Sequence, residues 1–67
     1  MLAKAKKIGE KLITLRGNKS QEEVARKINV SLSALQAYEQ GDRMPRDEVK
    51  QRLADYYGCK AENIFLI

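Results

Sequence analysis

The sequence predicts an all-α fold, a compact bundle of five helices. Three observations carry that prediction. Apolar residues recur at three- and four-residue steps along nearly the whole chain, the period of a helix with one buried face. No stretch alternates apolar and polar residues over a strand length between turn pairs. Between the periodic segments stand residues that start or stop helices: Gly17, Ser20, Asn29, Ser31, Gly41 and Gly58.

The first helix carries Ala5, Ile8, Leu12 and Leu15 on its apolar stripe, with Lys4, Lys7, Lys11 and Arg16 mostly elsewhere, and ends near Gly17. Asn18 and Lys19 make a tight turn. Ser20 followed by Glu23 has the spacing of a capping box and opens a second helix through Val24, Ala25 and Ile28. Asn29 stops it, because Asn tolerates a left-handed backbone better than any residue but Gly. Ser31 caps a third helix carrying Leu35 and Tyr38, which Gly41 ends. Asp42 to Pro45 is a loop. The fourth helix, about Arg46 to Tyr57, aligns Val49, Leu53 and Tyr57, with Gly58 behind it; Ala61 to Leu66 forms a short fifth helix.

The chain has 67 residues, enough for one domain spanning 1–67 with a thin core. Domains of this size commonly lean on disulfides, a metal or a partner subunit. Cys59 stands alone and histidine is absent, so an internal bridge and the usual zinc ligand sets are missing. No metal and no cofactor are expected. Without histidine no Ser-His or Cys-His pair can be assembled, and a thin chain offers little concave volume for carboxylate chemistry; no enzyme and no small-molecule site are expected. The net charge of +4 and pI of about 9.4 favour a polyanionic partner, although surplus lysine also serves solubility. No apolar run is long enough to span a bilayer, and Met1 to Lys7 lacks a signal peptide's apolar stretch. A lone thiol fits a cytoplasmic location.

The join between the second and third helices is the most specific feature. Ile28 to Ser31 gives a turn of about three residues, the length that crosses two helices at ~90–120°. Small Ala25 sits where a close crossing needs a small side chain, and Val24, Ile28, Val30, Leu35 and Tyr38 share inward spacing. Residues 21–40 therefore form a helix-turn-helix. Ser20-Gln21-Glu22-Glu23-Val24-Ala25, then Asn29-Val30-Ser31, then Leu35 with Tyr38-Glu39-Gln40-Gly41 and Pro45, resemble the Cro/repressor (XRE-type) helix-turn-helix family of phage and bacterial regulators. The resemblance runs from about Ile8 to Phe65 and implies a lambda-repressor-like, DNA-binding fold. Two departures are Asn29 where many members have Gly, and a link between the first two helices about two residues shorter than in many members.

The resemblance places the third helix in the major groove of double-stranded DNA. Its outward residues are then Leu32, Ser33, Gln36, Ala37 and Gln40. Gln36 can bond bidentately to adenine N6 and N7, Ser33 can donate or accept, and Leu32 and Ala37 can pack on thymine methyls. No Arg or Lys lies on this face, so an A·T-rich half-site is expected. The other reading of Ser33 and Gln36 is an ordinary solvated face. For phosphates the candidates are Gln21, at the positive start of the second helix, with Arg16, Lys19, Arg43 and Arg46. The family's acid after the aromatic position pairs with an arginine ending the first helix, which implies an Arg16–Glu39 ion pair. Leu66 and Ile67 either meet a second copy, with Tyr56 on the same surface, or fray as the end of a truncated chain; a homodimer on DNA is the favoured alternative. The functional expectation is a sequence-specific regulator, most simply a repressor occupying an operator. The rival is an antitoxin- or adaptor-like protein-interaction module, supported by Glu22, Glu23, Asp47 and Glu48 near the supposed DNA side.

Overall fold

A computed structural model describes residues 3–66. Its helices are α1 Ala3–Arg16, α2 Gln21–Lys27, α3 Leu32–Gln40, α4 Asp47–Tyr57 and α5 Ala61–Phe65, and no strand occurs among the described residues. The side chains at the centre come from all five: Ile8 and Leu12 of α1, Val24 of α2, Leu35 of α3, Leu53 of α4 and Ile64 of α5 are all but inaccessible to water. With no sheet to share the load, each helix gives its one apolar stripe to a common core.

Helix boundaries follow local chemistry. The Ser20 hydroxyl accepts from the Glu23 N–H at 3.1 Å and the Ser31 hydroxyl from the Ala34 N–H at 3.0 Å, so both α2 and α3 start on a side-chain cap. Asn29 closes α2 at φ 61°. Its N–H reaches the Arg26 carbonyl at 3.2 Å, and the Val30 N–H reaches Ala25 at 3.0 Å, the paired bonds of a Schellman ending. From α4, Arg52 Nη1 donates to the Ile28 carbonyl at 3.2 Å, tying the turn to the next layer. Helix α4 begins at Asp47; Arg46 precedes it without a side-chain cap bond, and Asp47 and Glu48 in the first turn suit the helix dipole.

Helix α1 departs from the simple periodic picture. Leu15, expected on the buried stripe, is 38% exposed. The link beside it, Gly58 to Lys60, brings only Cys59 to that spot, and α5 is a five-residue helix whose contact with α1 lies a turn earlier, where Lys11 Nζ donates to the Asn63 carbonyl at 3.1 Å. At that level Arg16, half-buried, lies nearer the inward side, and Gly9 is buried between Ala5 and Leu12 along the stripe. There α1 lies directly on the end of α3. A β-carbon on Gly9 would collide with the Glu39 carbonyl and stand 2.9 Å from the Tyr38 oxygen. At the same crossing Gly41, at φ 78°, leaves its missing β-carbon only 2.7 Å from the Lys6 Cα. Two glycines thus bring two backbones together at a spacing no side chain permits. Val30, expected inside, is half-buried and packs on the edge of the core.

Candidate nucleic-acid interface

Helix α3 is fixed on one side and open on the other. Ala34, Leu35, Tyr38 and Glu39 are buried. Ser33 and Gln40 are exposed, and Leu32, Gln36 and Ala37 are half-buried, so the five proposed base-reading residues share the uncovered side of the helix. Asn29 and the Ser31 cap fix where α3 starts.

A chain of side-chain hydrogen bonds runs from the buried to the open side. Arg16 Nε donates to Glu39 Oε2 at 2.7 Å, and Arg16 Nη1 donates to the Lys19 carbonyl at 2.9 Å. Gln21 Nε2 donates to Glu39 Oε1 at 2.8 Å. Gln36 Nε2 donates to Gln21 Oε1 at 3.3 Å, the longest link. One residue from the end of α1, one from the start of α2 and two from α3 are thereby joined. The Glu39 side chain is only 2% exposed and that of Arg16 is 19% exposed. A carboxylate so far from water is tolerable because both of its oxygens accept from donors. The Glu39 hydrogen bond raises the Arg16 pKa above its ordinary value, with burial opposing.

Behind this group lies Tyr57 at the end of α4. Its hydroxyl is buried and has no hydrogen-bond partner among the described residues. Burial pushes its pKa up to about 12; the Glu39 charge adds to the rise and the Arg16 charge opposes it. Tyr56 beside it packs edge-on against its ring, with centroids 5.2 Å apart.

The remaining candidate residues are more scattered. Lys19, Arg43 and Arg46 are exposed, and none has an ion-pair partner among the described residues. The N–H of Arg43 bonds back to the Ala37 carbonyl at 3.3 Å, holding the start of that loop against α3. Tyr56 borders a hollow with Ile28, Asn29 and Arg52, whereas Leu66, 72% exposed, borders another with Lys50 and Phe65. The two residues assigned to one dimer surface therefore line separate hollows, and Ile67 lies outside the described residues. Neither the close approach at Gly9 nor the links through Gln21 follow from apolar periodicity. A glycine inside a helical period was the available signal for the first; none existed for the second. No group of His, Cys, Asp and Glu that could hold a metal ion occurs among the described residues. No helix among them is long and apolar enough to cross a membrane.

Two capped helices across an Asn-closed turn, the second with an open face, define a helix-turn-helix protein of the DNA-binding kind. A family model described as helix-turn-helix matches residues 10–64, so the chain belongs to the helix-turn-helix family of the Cro/repressor (XRE) type, whose domains are DNA-binding and regulatory. No curated protein and no solved structure matches the chain.

Proposed function

We propose that the chain is a sequence-specific transcriptional regulator that represses by occupying an operator, with α3 in the major groove. The observation that carries this reading is the Gln36–Gln21 hydrogen bond at 3.3 Å. It couples the residue best suited to a base edge to the one that starts α2, where the DNA backbone passes in this docking geometry. Gln36 keeps its carbonyl oxygen and one N–H for adenine, while Ser33, Leu32, Ala37 and Gln40 contact neighbouring bases. Gln21 keeps its second amide N–H for a phosphate. Arg16, held by Glu39 and the Lys19 carbonyl, has its remaining N–H groups for the same strand. Lys19 supplies a further charge there, and Arg43 and Arg46 supply charge to the backbone beyond the end of α3.

Two copies related by a two-fold axis then read half-sites about one DNA turn apart, ~34 Å. Leu66 is the best-exposed apolar candidate for the contact between them, with Ile67 next to it in sequence; Tyr56, on a separate hollow, is the alternative. Residues 1–67 act as one domain in this account, in the cytoplasm.

Binding-site selection from random duplex DNA tests the proposal. The expected result is an enriched, two-fold-related site with A·T-rich halves. Enrichment of no sequence, with no retention of duplex at low salt, overturns it and favours the protein-interaction module.

A further inference from the structure

The hydrogen-bond chain has a direction, and Glu39 sets it. A carboxylate accepts and has no proton to give, so both of its neighbours must donate. Arg16 can only donate. Gln21 can do either, and beside Glu39 its amide has one permitted orientation: nitrogen toward Glu39, oxygen toward Gln36. Gln36 must then turn its own nitrogen to the Gln21 oxygen. The assignment of both amides follows from this network, which is how nitrogen and oxygen of such groups are told apart.

The consequence reaches the open face. One N–H of Gln36 is used by Gln21, leaving one N–H and the carbonyl oxygen. That donor–acceptor pair matches adenine, which offers the N7 acceptor and the N6 donor in the major groove. The reversed amide would place its oxygen on Gln21 and leave two N–H groups, matching the two acceptors of guanine, N7 and O6. A glutamine held only by water could take either orientation.

We propose that Glu39, which does not reach the DNA itself, is a specificity-determining positioning residue. Through Gln21 it fixes the polarity of the Gln36 amide, so that α3 selects adenine over guanine at the base facing Gln36. This rests on the reading above, in which the open face of α3 meets base edges.

The informative substitution is Glu39→Gln. Its oxygen still accepts from Arg16, so its nitrogen faces Gln21 and must be accepted. Gln21 then turns its nitrogen toward Gln36, which answers with its oxygen and presents two N–H groups outward. Selection from random duplex DNA should give adenine at that position for the natural protein. For Glu39→Gln the adenine-to-guanine ratio should fall by about tenfold or more, with the other positions unchanged, as expected for one bidentate contact. A retained adenine preference, or an equal loss at every position, overturns the proposal and leaves Glu39 a purely structural residue. If Glu39→Gln does not fold, Gln21→Met decides: it keeps the Arg16–Glu39 pair, breaks the relay, and should relax the choice at that same position.

A second readout needs no DNA. By NMR, the Gln21 side-chain amide proton bonded to Glu39 should exchange with water much more slowly in the free protein than those of exposed Gln40. Equal exchange overturns the relay whether or not the protein binds DNA. Slow exchange with no duplex selected leaves the hydrogen-bond network standing and overturns the DNA-reading role with its specificity.

Discussion

The two ends of α3 are held in different ways. Its C-terminal end is pressed by backbone against α1 at Gly9 and Gly41, and its buried Glu39 is held by Arg16 and Gln21. Its N-terminal end has the Ser31 cap and then turns Ser33 and Gln36 outward, with little packed over them. One end is fixed by close packing and a desolvated charge, the other is left free for a partner. Substitutions at the first should therefore cost folding, and substitutions at the second should cost binding alone.

The largest effect is expected from Gly9→Ala. The new methyl meets two carbonyl oxygens of α3, neither of which can move without shifting the helix. The loss should be about 3 kcal/mol, measured by urea unfolding. That is a large share of the ~3–10 kcal/mol expected for a domain of this length. Next comes Arg16→Met, which leaves the Glu39 carboxylate buried with Gln21 as its remaining partner. Removing one partner of a buried pair costs roughly 3–5 kcal/mol, and the partial exposure of Arg16 lowers this to about 2–3 kcal/mol. An unchanged unfolding midpoint for either variant would break the contrast at its rigid end.

Gln36→Ala tests the open end. Unfolding should change by less than about 0.5 kcal/mol, while affinity for the selected duplex should fall about tenfold, measured by fluorescence anisotropy. The smallest effect is Tyr57→Phe. At neutral pH it should match or slightly exceed the natural protein, by up to about 1 kcal/mol, because it deletes a buried hydroxyl without a partner. The alkaline limb sharpens this. The folded protein holds the Tyr57 proton more tightly than the unfolded chain, so its stability is intact below pH 10 and is lost as pH rises through about 12. Tyr57→Phe should lose less stability across that window.

What the sequence discloses divides along the same line. Starts and stops of helices depend on residues within three or four positions, so Ser20, Asn29, Ser31 and Gly41 could be placed by their own chemistry. The uncovered side of α3 followed by subtracting inward spacing. Features that depend on what passes overhead were hidden. Leu15 has the period of a core residue, but its burial depends on how far α5 and the preceding link reach. Gly9 has no side chain to enter a periodicity count, although it is where α1 and α3 meet. The Arg16–Glu39 pairing came from family resemblance, because 23 residues separate the partners and no local rule joins them. Gln21 and Gln36 each suit a DNA partner, yet nothing in their spacing says that they touch.

Affinity measured against salt shows whether the open face of α3 and the cations around it meet a DNA duplex. Arg16, Lys19, Arg43 and Arg46 give four cations per protomer. At about −0.9 per phosphate neutralised, the log–log slope should be near −4 for one protomer and about −7 for a dimer. Arg46→Ala should reduce that slope by about one unit per protomer, and Gln36→Ala should leave it unchanged. An affinity that does not respond to salt, or a duplex not bound at all at low salt, would mean that this face does not meet DNA.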